Sequence, residues 1–265
     1  MKKYLAVGKI LFKAQFAYRF DVIMTAVSIV WRIIFALILW GAIFTNRESV
    51  GGFTYQEMLS YYMISSFFAM MDMSNGVLGE ISGRIKEGSF SKFMIIPSSP
   101  QLHFLSQTLG ASAYYGIFIV IAMVVSALVF RIDIMLTFDL SRLLLAVVVF
   151  LVGTVFMNSY QFLLGIFVLK YQDTNFTMHL LPNIVSFFSG ELVPLSLLPG
   201  AFVTALRIFP FTHVVYTPTM LVIGRMDLRE GLAGCALLLV WTLGMAIVSQ
   251  LTYDRLRKQY EGVGM

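Results

Sequence analysis

Charged side chains inside long apolar stretches are the residues of this chain that could do chemistry. Arg32, Glu57, Asp72 and Glu191 each lie within or beside such a stretch. A charge at the centre of a membrane helix costs about 2.5–3.5 kcal/mol on insertion scales, so it normally has a partner or a function. Counting about 1.5 Å per residue from the predicted inner ends puts Arg32 and Asp72 at similar depth. This predicts an intramembrane Arg32–Asp72 pair that fixes the packing of two adjacent helices.

Sequence motifs for catalysis are missing. The chain has no G-x-x-x-x-G-K-[ST] phosphate loop, because "GKI" at Gly8 has no glycine at the required spacing before it. His103, His179 and His213 lack the spacing of metal ligands, and the single cysteine, Cys235, excludes a disulfide within the chain. We therefore expect no enzymatic activity, no cofactor and no metal in this chain.

The composition indicates an integral membrane protein. Of the 265 residues, 58% are hydrophobic and 12% are charged, and the mean hydropathy is +0.83. A soluble domain carries about 25% charged residues. Lysines that face a membrane explain the net charge of +5, so nucleic acid is not an expected partner.

Six apolar runs are long enough to cross a bilayer, whose core of ~30 Å needs ~20 helical residues. The predicted spans are residues 21–44, 55–78, 102–130, 143–169, 176–198 and 232–251. Lysine and arginine concentrate at the N-terminus, after the second span and in the tail "DRLRKQ". This predicts a multi-pass protein of the cell inner (plasma) membrane, all-α in fold, with both termini cytoplasmic.

Residues 1–20 are predicted to form a separate amphipathic helix ahead of the transmembrane domain, residues 21–265. Apolar residues recur there at helical spacing, and three lysines project from the opposite face, Lys2, Lys9 and Lys13. Such a helix lies in the membrane interface with its basic face toward anionic headgroups, so membrane lipid is an expected partner. The alternative is a cytosolic extension of the first span.

The loop after the second span, residues 80–100, combines charges of both signs with glycine and two prolines. This pattern predicts a helix end that continues into the cytosol, a turn and a short element before the third span. A helix end of mixed charge suits a protein partner better than a lipid surface. By composition alone, the segment also fits an ordinary solvated loop.

The stretch "GELVPLSLLPG" interrupts an apolar region with a carboxylate and two prolines. Proline prevents helix continuation, and irregular backbone at membrane depth survives only where protein or a water-filled cavity satisfies it. Two complete spans here would put the basic tail outside. Residues 190–223 are therefore predicted to form a re-entrant helical hairpin on the outer side, with an external loop lying on the membrane as the alternative.

These segments together resemble the membrane subunits of type-2 ABC exporters, the ABC-2 permease family. The resemblance covers essentially the whole chain and depends on order: an interfacial helix, six spans, a loop like "RIKEGSFSKFMIIPSSP" after the second, and "SGELVPLSLLPG" before the sixth. The stretch "RIFPFTHVVYTPTMLVIG" is similar to the half-size branch, in which two related permeases work with one type of ATPase.

The resemblance implies a permease that forms an efflux path with a second permease, for which a related partner is favoured over a second copy of the chain. A cytoplasmic ABC ATPase dimer would hold the ATP and magnesium. The implied ATPase-coupling residues are Glu80, Arg84, Lys86, Glu87 and Gly88. The implied outer gate comprises Gly190, Glu191, Pro194, Pro199 and Pro210.

Two functions of different classes stay open at this point. One is the non-enzymatic membrane half of an ATP-driven exporter. The other is a secondary transporter or a membrane-embedded lipid-modifying enzyme that uses Asp72, Glu57 or Glu191. Asn158, Ser159 and Gln161 in the fourth span fit either the lining of a pathway or hydrogen bonds between helices.

Overall fold

The computed structural model describes residues 2–95, 98–170, 180–191 and 193–258, which are helical almost throughout and contain no β-strand. Within these ranges, four helices are long and apolar enough to cross a membrane: Phe20–Phe44, Pro100–Phe130, Leu140–Leu169 and Leu228–Leu256. They correspond to the first, third, fourth and sixth predicted spans. Large apolar side chains such as Trp31, Ile38 and Leu128 are exposed on them. An all-helical, multi-pass membrane protein is thereby confirmed.

The N-terminal helix α1 (Lys2–Ala14) is separate from α2 (Arg19–Phe44). A 3-10 turn, Gln15–Ala17, and a break at Tyr18 (φ −97°, ψ 53°) lie between them. The helix runs alongside the first half of α6 (Pro100–Phe130), where a Cβ at Gly110 would lie 2.3 Å from the Gly8 carbonyl oxygen. The first 20 residues are therefore not a simple extension of α2, and their placement in the interface stays a prediction.

Two helices, α3 (Tyr55–Met71) and α4 (Asn75–Lys86), replace the continuous second span predicted over residues 55–78. A capping box between Thr54 and Glu57 begins α3. The helix ends at Asp72, whose ψ is 99°, and Ser74 donates to the Asp72 carboxylate through both its N–H and its hydroxyl. Short polar side chains offer the backbone such alternatives to helical hydrogen bonds, so the prediction of one unbroken helix is wrong.

The C-terminal end of α4 leads to α6 through a compact turn. Gly88 adopts the left-handed conformation (φ 73°) that favours glycine and terminates the helix. A 3-10 turn, Ser89–Ser91, and the short helix α5 (Lys92–Ile95) then precede α6. These elements match the helix end, the turn and the short element that were predicted for residues 80–100. Residues 96 and 97 of this segment lie outside the described residues.

Helix α7 (Leu140–Ile166) packs along the last helix, α11 (Leu228–Leu256). Asp139 caps α7 by accepting the Ser141 N–H at 3.0 Å. The Ser141 hydroxyl also donates to this carboxylate, and that hydrogen bond lowers the pKa of Asp139 below its ordinary value. Glycines allow the close α7–α11 packing, since a Cβ at Gly231 would lie 2.9 Å from the Leu145 side chain.

The predicted fifth span, residues 176–198, lies partly outside the described residues. Its described part contains α8 (Leu181–Phe188) and a 3-10 turn, Leu195–Leu197. Helices α9 (Gly200–Leu206) and α10 (Pro210–Val222) follow. Pro194, Pro199 and Pro210 each stand at the start of a helical element, where no N–H is needed. The helical elements are therefore interrupted at these three prolines, as the sequence predicted.

Candidate functional site

Arg32, near the middle of α2, forms an ion pair with Glu191, which follows α8. Arg32 Nη1 and Glu191 Oε1 are 2.6 Å apart, and their side chains are 36% and 10% exposed. The predicted Arg32–Asp72 pair is therefore wrong. Counting residues along two helices estimates the depth of each side chain but not the direction in which it points. The break after Met71 also turns the Asp72 carboxylate back onto Ser74.

A turn at Gly190 positions the Glu191 carboxylate. Gly190 has φ 76°, and a Cβ there would lie 3.0 Å from the Tyr61 hydroxyl oxygen. The Tyr61 hydroxyl donates to the Gly190 carbonyl oxygen, and the Ser65 hydroxyl donates to the Glu191 carbonyl oxygen at 3.2 Å. Tyr61 and Ser65 lie one turn apart on α3, so this helix holds the backbone of the turn while α2 neutralises the carboxylate.

Asp72 is buried at the break between α3 and α4, with 8% of its surface exposed. It accepts hydrogen bonds from the Ser74 N–H (3.1 Å) and hydroxyl (2.9 Å) and makes no ion pair with any described residue. Asp72 lines two cavities. The smaller, of about 60 Å³, extends toward Glu191, and the larger, of about 470 Å³, extends toward α1 and α6.

Polar side chains connect α7 to α4 and α6 around these cavities. Three hydrogen bonds join the helices: Gln161–Asn75 at 2.9 Å, Thr108–Asn158 at 3.0 Å and Gln101–Ser159 at 3.0 Å. Of the polar residues predicted in the fourth span, Asn158 and Ser159 therefore bond between helices. Gln161 does so too, and it also lines the smaller cavity.

The residues predicted for ATPase coupling lie together at the end of α4. Arg84 Nη2 is 2.6 Å from Glu80 Oε1, one turn back, and the Arg84 guanidinium lies 5.5 Å from the centre of the Phe93 ring. Lys86 and Glu87 are exposed where the helix ends, directly before Gly88. The five residues thus form a charged helix tip, defined here as residues 84–88 with Glu80 behind it.

Buried aromatic rings anchor this helix tip to the C-terminal ends of α7 and α11. Phe90 is 0% exposed, and its ring centre lies 5.5 Å from that of Phe93 and 6.4 Å from that of Tyr253 on α11. The Tyr253 ring in turn lies 6.0 Å from that of Phe162 on α7. The apolar side of the helix tip is therefore packed against α7 and α11, while its charged residues Lys86 and Glu87 are exposed on the surface.

The five residues predicted to form the outer gate fall into two groups, Gly190 with Glu191 and Pro194 with Pro199 and Pro210. The first pair contacts α2 and α3 as described above. The first two prolines flank a turn whose Leu197 side chain lies against Gly51, in the loop between α2 and α3. Pro210 begins α10 beside Phe211, whose ring centre is 5.2 Å from that of Tyr160 on α7. The turn at Gly190 also packs against residues that follow these prolines, because a Cβ at Gly190 would lie 3.4 Å from the Leu195 side chain and 3.2 Å from that of Tyr216 on α10.

An ion pair that the sequence analysis missed joins the start of α3 to the segment before α11. Arg225 donates to both carboxylate oxygens of Glu57, at 3.0 and 2.6 Å, and its guanidinium lies 4.5 Å from the centre of the Phe53 ring. Glu57 also accepts the Thr54 N–H at 2.8 Å. The T-x-x-E pattern in "TYQE" is a capping-box signal that could have revealed part of this role.

The two histidines that the structure describes are engaged in packing and hydrogen bonds. The His103 ring centre lies 5.1 Å from that of Phe93, and His213 Nδ1 lies 2.9 Å from the Thr217 hydroxyl oxygen. His179 lies outside the described residues. Among the residues described, no group of three or more His, Cys, Asp or Glu could hold a metal ion.

Comparison with known families yields a match over most of the chain. Residues 30–264 match the family model described as "ABC-2 family transporter protein". A search of curated proteins found no match. The matched range begins within α2 and includes Arg32, Asp72, Glu191 and the helix tip of α4.

Proposed function

Because the chain belongs to the ABC-2 family of transporter proteins, as its sequence predicted, we propose that it is the transmembrane permease subunit of an ATP-binding-cassette exporter. In this role it forms the efflux path with a second permease, and a separate cytoplasmic ATPase drives transport. The family match over residues 30–264 is the observation that carries the proposal. The lack of a phosphate loop in the sequence agrees with a separate ATPase.

We further propose that the helix tip of α4 is the element that couples to the ATPase. A coupling element must be rigid toward the membrane and accessible toward the partner. The buried Phe90 supplies the first property, and the exposed charges of Lys86 and Glu87 supply the second. Charges of both signs on a firmly held helix end give a protein partner a defined electrostatic pattern to match.

In the membrane, the chain is proposed to have six spans, with α3 and the region of α8 as the second and fifth. Helices α9 and α10 would then form the outer re-entrant hairpin. Contacts at the two ends of α10 support this: Phe211 packs near Tyr160 on the inner half of α7, whereas the Val222 carbonyl accepts the Thr137 N–H at 2.8 Å, just before α7 begins. The helix therefore runs from the middle of α7 to its outer end, which suits a hairpin that enters half-way.

The surroundings proposed for the chain follow from charge and resemblance. The distribution of lysine and arginine supports cytoplasmic termini in the cell inner membrane. A related but different permease is the proposed partner across the efflux path, and the exposed apolar side chains of the long helices suit contact with lipid. The basic face of α1 would meet anionic headgroups at the inner surface.

Purification of the full chain from its native membranes in mild detergent tests the proposal. We expect an ABC ATPase, identified by mass spectrometry, to co-purify in a complex that hydrolyses ATP and exports substrate from reconstituted vesicles. A chain that purifies without an ATPase, or a complex whose transport is independent of ATP, would refute the permease role.

Charge reversal at the helix tip tests the coupling element separately. Glu87→Lys should reduce ATPase association or ATP-driven transport several-fold without lowering the melting temperature, since Glu87 is exposed. Asp133→Lys, an equal charge change at an exposed residue near the outer end of α3, is the matched control and should have no effect. Equal behaviour of the two variants would contradict coupling through the helix tip but leave the permease role intact.

A further inference from the structure

Asp72 is the one carboxylate of the two central cavities that has no basic partner among the described residues. Glu191 pairs with Arg32, and Glu80 at the far end of the larger cavity pairs with Arg84. None of the described residues that line either cavity is a lysine or an arginine. Asp72 therefore lines both cavities without a basic partner, and among the described residues its carboxylate accepts hydrogen bonds from Ser74 alone.

Two glutamines that line these cavities have amide oxygens without a hydrogen-bond donor among the described residues. Gln161 lines the smaller cavity, is 3% exposed, and its Oε1 accepts no hydrogen bond from the residues described, since its Nε2 donates to Asn75. Gln107 lines the larger cavity, and its Oε1 is likewise buried and unpaired within the described part of the chain. Buried acceptors without donors cost free energy, so rotation of either amide toward an N–H donor in its cavity would be favourable.

We infer that Asp72 recognises a protonated amine on the exported compound, with the Gln161 amide as a second acceptor in the smaller cavity. The inference rests on the proposed function and names its substrate class. An ammonium group offers a positive charge and three donors, which the Asp72 carboxylate and a Gln161 amide oxygen turned toward the smaller cavity can accept. The smaller cavity of about 60 Å³ has room for a head group of a few atoms, and the larger, of about 470 Å³, is of a size that takes the body of a small molecule.

The alternative role for Asp72 is purely structural, as the group that holds the start of α4. Asp72→Asn separates the two roles, because an asparagine oxygen still accepts from Ser74 but carries no charge. If the role of Asp72 were structural alone, the substitution would leave the relative affinity for charged and neutral ligands unchanged. Amine recognition makes the variant lose affinity for a cation while keeping its affinity for a neutral molecule of the same shape.

The probes are dansylcadaverine, which carries a primary ammonium group, and its N-acetylated neutral counterpart. Their binding is measured by fluorescence on the full chain, purified with its partners in nanodiscs without ATP. We expect saturable binding of the cation at least about tenfold tighter than that of the neutral probe, since hydrogen bonds to charged groups are stronger. Asp72→Asn should remove this preference, and Asp133→Asn, which removes a carboxylate outside both cavities, should retain it.

A third variant keeps the test decisive where Asp72→Asn does not fold. Gln161→Glu adds a carboxylate of equal size to the smaller cavity and should tighten binding of the cation alone. Competition by phosphatidylethanolamine in the nanodisc would identify a lipid headgroup as the source of the amine, and lack of competition a soluble compound. Equal binding of both probes by the wild type, no saturable binding of the cation, or unchanged selectivity in Asp72→Asn would overturn the inference. Because no ATP is present, these results are independent of whether the complex transports.

Discussion

The ion pair between Arg32 and Glu191 makes a quantitative prediction about the stability of the transmembrane domain. Glu191→Gln keeps the shape of the side chain but leaves the Arg32 guanidinium without its carboxylate, 2.6 Å away in the wild type. Removing one partner of a fully buried pair costs about 3–5 kcal/mol. Because the amide oxygen introduced by Glu191→Gln can still accept a hydrogen bond from the guanidinium, we expect a smaller loss, about 2–3 kcal/mol.

The assay is a double-mutant cycle measured by thermal unfolding in detergent, followed by tryptophan fluorescence. A loss of 2–3 kcal/mol corresponds to a midpoint lower by about 4–12 °C for a chain of this size. Arg32→Gln should be destabilising as well. The loss of stability in the double variant, Arg32→Gln with Glu191→Gln, should be smaller than the sum of the two single losses. The difference, the coupling energy, should be about 1.5–3 kcal/mol.

A second cycle between Arg32→Gln and Asp72→Asn is the matched control. Residues that share no partner give losses that add within about 0.5 kcal/mol, and Asp72 bonds to Ser74 instead of Arg32. Coupling of Arg32 to Asp72 with additivity toward Glu191 would refute the pairing seen in the structure and restore the pair predicted from sequence.

Two further predictions concern glycines at close contacts. Gly110→Ala should destabilise the packing of α1 on α6 by about 1–3 kcal/mol, measured as faster proteolytic removal of α1, because its Cβ would lie 2.3 Å from a backbone oxygen of Gly8. Gly116→Ala on the same helix meets only the flexible end of Met71 at 3.0 Å and should be tolerated. Gly190→Ala should lower the melting midpoint by several degrees, since φ is 76° and Tyr61 lies 3.0 Å from the added Cβ, whereas Gly200→Ala, with no heavy atom within 4 Å, should not. Equal effects within either pair would contradict the packing described.

The long helices could be predicted from sequence because a bilayer imposes a simple requirement, about 20 apolar residues in a row. The break in the second span could not be found by hydropathy, since "MDMSNG" contains only one charge. Its signal was chemical: Asp72, Ser74 and Asn75 are residues that favour the start of a helix over its interior. Local residue type would have located this break where average hydropathy did not.

The partners of the charged residues depend on tertiary packing and were harder to predict. Glu191 is 159 residues from Arg32 in sequence, and only the turn at Gly190 brings its carboxylate to α2. The helix tip of α4 was predictable as a group because its residues are consecutive. The contact between Phe90 and Tyr253 that anchors this tip could not be predicted, because the two residues are far apart in sequence.

Helix α4 connects the proposed coupling element to the proposed amine site without any intermediate element. Glu87 lies at one end, and Asn75, which bonds to Gln161, lies at the other, about 18 Å away for 12 residues. The break at Asp72 separates this helix from α3, which its capping box and the Gly190 turn hold in place. In the proposed transporter, a push on the helix tip should therefore move the cavity wall while α3 stays fixed.

Spin labels test this in a Cys235→Ala background. Gly79→Cys on α4 has no heavy atom within 4 Å of its Cβ, and Leu144→Cys lies on an exposed face of α7. The distance between these labels should change by more than about 2 Å between the nucleotide-free and ATP-bound complexes, as helix shifts do in known switches. The control distance from Gln56→Cys on α3 to Leu144→Cys should stay constant. Equal shifts in the two distances would mean that α3 and α4 move as one helix, and the break at Asp72 would then have no part in coupling.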